Sequence, residues 1–342
     1  MKQLSALILS LILASSLFGL DSRNRFSVYS DLSKDNQALG GLWAMEVSQD
    51  WDWQALSIQG EYSLYSRYQS TWEDKHQADM SAESYRAWIS LGIPQTEFRI
   101  GLQRLNFGSA QILRPLQWFD TLDPLDSHQY TSGVQAALFR HHWLNNANLW
   151  IWGILGDESA KGNELVGGVE DRLEYGGRLQ YPIGIGELGL SYHQRELAMG
   201  REHRGGIDLR MDYAIGIWFE TSVSQNIDQA ILPEYYLSAS MGADYNFGIG
   251  NGLAIMAEQM QIASGTDAGD MNMETGISAV MLSYPINLLD SIKAVGSYEY
   301  NSSESSLGAV WERMYDYISL ELSAKTSSSN GSSLHGMISA HF

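Results

Sequence analysis

The sequence predicts an all-β protein: a transmembrane, antiparallel, up-and-down β-barrel of about 16 strands, with 14 or 18 strands as alternatives. Three observations predict this fold. They are an N-terminal segment typical of exported proteins, a composition rich in aromatic residues and glycine, and many segments in which apolar and polar side chains alternate. The alternation carries most weight, because a wall between lipid and a polar lumen needs one apolar and one polar face.

The N-terminal residues have the layout of a secretory signal peptide. Lys2 precedes an uncharged run over residues 4–13, and three small residues, 14–16, follow it. The apolar run is too short to span a bilayer as a helix, which needs about 20 residues. We therefore expect a signal peptide over residues 1–19, cleaved between residues 16 and 19, and a single outer-membrane β-barrel domain over residues 20–342.

The composition excludes several classes of protein. The 342 residues contain no cysteine, which excludes a disulfide framework and a thiolate metal site. The formal net charge of −19 becomes −20 when Lys2 leaves with the signal peptide, and this acidity argues against nucleic acid as a partner. Tyr occurs 18 times, Trp 11 times and Gly 33 times against only 6 Pro, which favours many strands joined by tight turns. The mean hydropathy of −0.21 is compatible with a barrel wall of alternating polarity.

Alternation with period two is clearest in three consecutive segments between residues 172 and 213. Apolar residues take every second position there, as Leu173, Tyr175 and Leu179 do in the first segment. The pattern recurs along the chain, and in one further segment Tyr85 shares the apolar face with Ile89. The polar face of the three central segments supplies the predicted pore-lining residues, which are Arg172, Glu174, Arg178, Glu187, His193, Arg195, Arg204, Asp208, Arg210 and Asp212.

These charged residues have two interpretations. In the first, they form a salt-bridge lattice that satisfies the polar wall. In the second, they form a binding ladder, in which guanidinium groups hold the carboxylate or phosphate groups of a passing solute. The sequence leaves both open.

The strand count follows from the connections. Short links at residues 94–95, 144–146, 182–186 and 247–251 alternate with longer polar ones, as periplasmic turns alternate with outer loops. The pattern gives about 17 candidate strands, an odd number that conflicts with both termini lying in the periplasm. The conflict falls after residue 285, where the segments 291–301, 314–324 and 333–342 break the short-long rhythm. We therefore predict 16 strands.

The longest link, residues 106–133, is the third outer loop in this count. Its apolar residues, among them Ile112, Leu113 and Leu116, would be costly in water, whereas its charged residues could face water. The loop could fold inward and narrow the pore, pack over the barrel mouth, or contact a neighbouring barrel. The residues predicted to form the constriction are Arg114, Trp118, Phe119, Asp120, Asp123 and Asp126.

Two segments carry a resemblance to known proteins. The last ten residues place Leu334, Ile338, Ala340 and Phe342 on one face. This end resembles the C-terminal strand of bacterial outer-membrane barrels, which implies that the barrel-assembly machinery reads Phe342. The segment 99–108, with the sequence RIGLQRLNFG, resembles a strand and turn of porin-like families. It implies a porin-like barrel and identifies no solute.

The function expected from these features is an outer-membrane channel for passive diffusion of small hydrophilic solutes. The expected partners are outer-membrane lipid and the assembly machinery, and the oligomeric state stays open. We found no catalytic constellation: His141 and His142 are adjacent and point to opposite faces of a strand, so they cannot form a paired metal site. No cofactor or metal is therefore expected. The alternatives are a barrel enzyme, such as a hydrolase, and a structural or adhesive barrel with a blocked lumen.

Overall fold

The computed structural model describes residues 20–33, 37–72, 76–121, 123–126, 130–131, 133–228, 232–329 and 331–342. The predicted signal peptide, residues 1–19, lies outside the described residues, so that prediction and its cleavage position stay untested. The described residues form 18 strands: β1 Asp21–Ser33, β2 Gln37–Trp53, β3 Leu56–Trp72, β4 His76–Ile93, β5 Thr96–Gln103, β6 Val134–His142, β7 Asn148–Leu155, β8 Leu173–Ile183, β9 Gly186–Glu196, β10 Arg201–Asp212, β11 Gly216–Ile227, β12 Tyr235–Phe247, β13 Leu253–Asp267, β14 Asp270–Pro285, β15 Asp290–Glu299, β16 Glu304–Met314, β17 Ile318–Ser327 and β18 Gly331–His341.

The strands close into one antiparallel barrel. Each strand pairs with the next in the chain, and β18 pairs back onto β1 with Phe26 opposite Ala340. Closure continues past the end of β18, since the backbone N–H of Asn24 donates to the Phe342 carbonyl at 2.8 Å and the Phe342 N–H donates to the Asn24 carbonyl at 3.0 Å. The Phe342 side chain is 65% exposed at this seam. A closed sheet has no unpaired edge, which is the property that a membrane-spanning sheet needs.

The predicted number of 16 strands is wrong, and the alternative of 18 is confirmed. The missing strand is β16, Glu304–Met314, which lies between two segments that the sequence identified. Its outward Leu307 and Trp311 alternate with Gly308 and Val310, which share the inward face. Apolar residues on both faces remove the period-two signal, and this is why alternation did not reveal β16.

The two barrel ends differ in their connections. The start of β1, the end of β18 and the short links, including residues 94–95, 184–185 and 248–252, lie at one end, which we call the turn end. The opposite end, the loop end, carries the two longest connections, residues 104–133 and 156–172. The predicted third outer loop is therefore the connection between β5 and β6.

The outer surface of the barrel is apolar and the interior is polar. On β8, Leu179 and Tyr181 point outward and are 43% and 51% exposed, whereas Glu174 and Arg178 point inward and are buried. Many of the other strands also alternate exposed outward side chains with buried or half-buried inward ones, and the alternation is weaker in strands such as β15. Within the described part of the chain, helices long and apolar enough to cross a membrane are absent.

Tyr85 departs from the predicted pattern. The pairing of β3 with β4 shifts register between Ser63 and Leu64, because a β-bulge at Tyr85 places one extra residue in β4. The bulge moves Tyr85 from the expected outer face to the interior, where it is 7% exposed. Beyond the bulge, toward the loop end, Ser81 and Glu83 also face inward.

Candidate functional site

Residues 104–133, which connect β5 to β6, fold into the barrel and form what we call the internal loop. Leu116 and Phe119 are 1% and 3% exposed and belong to one buried cluster with Trp152 of β7. The rings of Phe119 and Trp152 meet edge to face with their centroids 5.7 Å apart. A Cβ atom on Gly206 would lie 2.3 Å from Leu116 Cδ2, so β10 needs a glycine where the loop packs against it.

Trp118 fixes the same part of the internal loop. Its ring meets Phe107 edge to face with centroids 5.4 Å apart, and its indole N–H donates to Ser222 Oγ on β11 at 3.0 Å. The side chain is 2% exposed, so it is a core residue of the barrel interior. Of the three placements that the sequence left open for this loop, the structure shows the inward one.

Glu220, an inward residue of β11, accepts three backbone N–H groups of the internal loop. Its Oε2 accepts from Ser109 at 2.6 Å and from Ala110 at 2.9 Å. Its Oε1 accepts from Leu116 at 2.6 Å. The Glu220 side chain is fully buried, so these bonds satisfy a carboxylate that water does not reach.

Glu258 of β13 holds the next residues of the loop in the same way. It accepts the backbone N–H groups of Gln111 at 2.7 Å, Ile112 at 3.0 Å, and Leu113. It also accepts the indole N–H of Trp218 at 3.0 Å. Two wall carboxylates thus bind the consecutive segment 109–113 and fix it to the inner wall at β11 and β13.

The far part of the internal loop reaches the strands near the C-terminus. Lys325 Nζ of β17 donates to Asp123 Oδ2 at 2.7 Å, and Lys293 Nζ of β15 donates to the Pro124 carbonyl at 3.0 Å. Burial acts to raise the pKa of Asp123, but the Lys325 ammonium and the backbone N–H of Leu125 hold that pKa below its ordinary value. The loop therefore follows the inner wall from β5 as far as β17.

Arg114 and Asp120, which could have faced water, are instead 7% and 3% exposed. Arg114 Nη1 lies 3.8 Å from Asp120 Oδ1, and Arg104 Nε lies 3.3 Å from Asp120 Oδ2. Burial raises the pKa of Asp120, and the two guanidinium groups oppose that rise. The pair stabilises the fold of the loop itself. Asp123 and Asp126 are exposed.

The charged wall of β8 to β10 is buried beneath the loops, which corrects its predicted role as a pore lining. Arg178 and Asp208 illustrate the arrangement: the Arg178 Nη2 atom donates to Asp208 Oδ1 at 3.0 Å, and Ser109 of the internal loop donates its hydroxyl to the same oxygen at 3.0 Å. Side chains that water does not reach cannot line an open passage. This correction applies to six of the predicted lining residues, which are at most 5% exposed: Glu174, Arg178, His193, Arg195, Arg204 and Asp208.

Residues 156–172, which connect β7 to β8 and which we call the capping loop, complete this burial. Glu164 of the capping loop lies 2.8 Å from Arg195 Nη1 and 3.3 Å from Arg204 Nη2. Lys161 Nζ donates to Glu174 Oε1 at 3.0 Å. The geometry is therefore that of the salt-bridge lattice, the first of the two interpretations that the sequence allowed.

The two loops also bind each other. The backbone N–H of Asn163 donates to the Gln117 carbonyl at 2.8 Å, and the Asn163 side-chain amide donates to the Arg114 carbonyl at 2.6 Å. The internal loop thus contacts the barrel wall on one side and the capping loop on the other.

The other four predicted lining residues stay accessible to solvent. Arg172 precedes β8 at the loop end, where its Nε lies 3.7 Å from Glu196 Oε2. Glu187, Arg210 and Asp212 lie near the turn end, and Arg210 Nη2 is 3.0 Å from Asp212 Oδ1. These residues border the rims rather than the middle of the barrel.

Open space lies on the opposite side of the interior. A cavity of about 560 Å³, the loop-end cavity, lies between the internal loop and strands β1 to β4, β17 and β18. A second cavity of about 400 Å³, the turn-end cavity, lies on the same side of the barrel near the start of β1 and the end of β18. Tyr130 of the internal loop lines both cavities. Wall residues of the loop-end cavity include Tyr29, Asp31, Arg67, Glu83, Lys325 and His335.

Tyr130 is held in place between the two cavities. Its hydroxyl accepts a hydrogen bond from Arg25 Nη2, and the Arg25 guanidinium carbon lies 4.8 Å from the ring centroid. The ring stacks on Tyr65 with centroids 5.8 Å apart and meets Tyr85 edge to face at 5.4 Å. Burial raises the pKa of the Tyr130 hydroxyl, while Arg25 lowers it.

Sequence reasoning missed Tyr130, Glu220 and Glu258. Glu220 lies on the inward face of β11 together with Trp218 and Ser222, and these residues alternate with more exposed outward ones, so the strand carries a pattern that could have indicated an inward carboxylate. Nothing in the sequence paired that carboxylate with amides more than a hundred residues earlier. Tyr130 carried no signal, because its position depends on the path of the whole loop.

Comparison with known proteins gives the fold and no closer relationship. No protein-family model and no curated protein matches the sequence. Among solved structures, OccAB4 of Acinetobacter baumannii matches with a TM-score of 0.65 at 9% identity, over 94% of this chain and 98% of that chain. OccD3 (OpdP) of Pseudomonas aeruginosa matches with a TM-score of 0.67 at 10% identity, over 95% and 91%. OmpF of Salmonella typhi, in a complex with daunomycin, matches with a TM-score of 0.55 at 11% identity, over 94% and 97%.

These proteins are outer-membrane porins. The likeness covers nearly the whole of each chain, so this chain has the fold of an outer-membrane porin barrel along its described length. The identities are low, and the likeness is one of fold.

Proposed function

We propose that this protein is an outer-membrane channel, porin-like in function, through which small hydrophilic solutes diffuse passively. The observation that carries the proposal is the pair of cavities on either side of Tyr130, one toward each end of the barrel. A solute would enter the loop-end cavity, pass Tyr130 and leave through the turn-end cavity. The internal loop narrows this path, so Asp123 and Asp126 border the passage while Arg114, Trp118, Phe119 and Asp120 fix the loop that forms it.

The outer surface supports a membrane location. Outward side chains such as Leu179 and Tyr181 expose large apolar areas, and a closed barrel offers them no partner inside the molecule. Outer-membrane lipid is the partner that such a surface fits, and porin-fold neighbours point the same way. We propose that Phe342, exposed at the β1–β18 seam, is the residue that the barrel-assembly machinery reads.

Conductance of the refolded protein in planar lipid bilayers tests the proposal. A channel gives discrete ohmic steps, whereas a barrel enzyme or an adhesive barrel with a blocked lumen gives none. Tyr130→Ala should raise the unit conductance, because it removes the ring that separates the two cavities.

Tyr213→Ala is the matched control, since Tyr213 is 89% exposed in the turn between β10 and β11. We expect its conductance to equal that of the wild type. Well-folded barrels without conductance steps would refute the proposed function. Equal conductance of the Tyr130 variant and the wild type would show that solutes take another path.

A further inference from the structure

The loop-end cavity is acidic. Among the described residues that line it, carboxylates outnumber Arg and Lys side chains by five to two. The formal charge is therefore −3 with His335 neutral and −2 with His335 protonated, and His335 pairs with Asp31. The basic side chains are Arg67 and Lys325. The carboxylates are Asp31, Glu83, Asp123, Asp126 and Glu321.

The basic groups of this cavity are engaged. Lys325 Nζ lies 2.7 Å from Asp123 Oδ2, so this ammonium and this carboxylate largely cancel. The Arg67 guanidinium carbon lies 5.6 Å from the Tyr29 ring centroid, against the wall. Glu83, by contrast, accepts only a neutral hydroxyl in the bonds we observe, that of Tyr65 at 2.7 Å, and keeps its charge toward the cavity.

The acidic groups face each other across the path. Asp123 and Asp126 belong to the internal loop, whereas Glu83 lies on β4 and Glu321 on β17. Charges of one sign on both sides of a narrow, low-dielectric passage reinforce each other and raise the local concentration of the opposite ion. A mobile anion would meet this field before it reached Tyr130.

The rest of the lining does not oppose this field. The rings of Tyr29 and Tyr65 border the cavity but already contact the Arg67 guanidinium and the Tyr130 ring, respectively, so the carboxylates determine the charge preference. The turn-end cavity has no comparable bias among its described side chains, since Arg23 and Arg25 are matched by Glu46 and Asp316. The loop-end cavity therefore sets the preference of the whole path.

We propose that the passage prefers monovalent cations and small organic solutes with a net positive charge, such as those that carry an ammonium group. This inference rests on the proposed function, because it requires solutes to move through the two cavities. It also differs from the anion-binding ladder, the second interpretation that the sequence allowed, since Arg178, Arg195 and Arg204 are buried in the lattice and the lining of the loop-end cavity is acidic.

The reversal potential in a potassium chloride gradient across a planar bilayer tests the inference. For the wild type we expect a reversal potential whose sign shows that potassium permeates more readily than chloride. In a gradient of ethanolammonium chloride we expect a reversal potential of the same sign. The double variant Glu83→Gln, Glu321→Gln should shift the reversal potential toward zero. Glu158→Gln, on an exposed part of the capping loop, is the control and should leave it unchanged.

The outcomes separate the two proposals. Conductance steps with a reversal potential of zero, or of the sign for chloride, would overturn the cation preference and leave the channel proposal intact. A cation-selective reversal potential that stays the same in the double variant would also overturn the cation preference proposed for this cavity. The selectivity would then arise elsewhere in the channel. Folded barrels with no conductance would refute the proposed function itself. Heat-dependent gel migration verifies that each variant is folded.

Discussion

Glu220 illustrates how one residue can determine the shape of the lumen. Its carboxylate accepts three loop N–H groups inside the barrel, and hydrogen bonds to charged acceptors are worth about 1.5–3 kcal/mol each. Glu220→Gln replaces one acceptor oxygen by an N–H₂ group that faces a donor. We expect the internal loop to loosen by about 2 kcal/mol in total, since other contacts of the loop remain. Chymotrypsin cleavage after Phe119 in folded barrels measures this, because Phe119 is buried in the wild type.

The control for this experiment is Glu187→Gln, which changes an exposed carboxylate at the turn end. We expect the control to resist chymotrypsin as the wild type does. Equal resistance of the Glu220 variant would mean that the apolar cluster around Trp118 holds the loop without the carboxylate.

Arg195 tests the lattice directly. It is 1% exposed and lies between Glu164 of the capping loop and Glu202 of β10. Arg195→Gln leaves two buried carboxylates to share Arg204, and breaking a buried ion pair costs about 3–5 kcal/mol. We expect this variant to unfold at a lower temperature in detergent and to keep the wild-type reversal potential. Heat-dependent gel migration measures the unfolding temperature.

Arg172→Gln is the matched comparison, because Arg172 pairs with Glu196 at the exposed rim. An exposed pair contributes less than about 1 kcal/mol, so this variant should unfold close to the wild-type temperature. A shift in reversal potential for the Arg195 variant, with stability preserved, would instead support the binding ladder.

Among the strands, the predictable ones are those whose outward face is mostly apolar and whose inward face is mostly polar. β8 and β9 alternate in this way over most of their length, and their turn at residues 184–185 falls within the short link that the sequence identified. β16 was missed because Val310 is apolar on the inward face. The bulge at Tyr85 was missed because an inserted residue reverses the alternation without leaving a mark in the composition.

The last strand carries a prediction about assembly. Phe342 closes the seam through backbone bonds to Asn24, and its side chain remains 65% exposed, so the ring is accessible to another protein. Deleting Phe342 should lower the amount of assembled barrel in outer membranes while secretion continues. Quantitative immunoblots of membrane and periplasmic fractions measure both. Phe247→Ala, at the turn end of β12, controls for the loss of one outward aromatic ring, and equal membrane levels of the truncated and full chains would contradict the prediction.

At the scale of the whole molecule, the barrel could be predicted and its interior could not. The sequence correctly predicted that the apolar residues of the internal loop are shielded from water. Three positions of the loop would shield them equally well, so the sequence did not distinguish among these positions. The position of the passage follows from the path of the loop, which depends on contacts such as those of Glu220 with Ser109 and of Lys325 with Asp123. Such contacts join residues far apart in the chain and leave no periodic signal.

In the proposed channel, solutes pass beside β1 to β4, β17 and β18, and not along the arginine wall of β8 to β10. Because the chain contains no cysteine, single variants report cleanly on this claim. Ser81→Cys and Ser323→Cys place a thiol in the loop-end cavity, whereas Ser191→Cys places one beside Arg178 beneath the internal loop. The measurement is the bilayer current before and after a water-soluble, charged thiol reagent. We expect the current to change in the Ser81 and Ser323 variants and to stay constant in the Ser191 variant. A change in the Ser191 variant alone would show that solutes pass along the arginine wall instead.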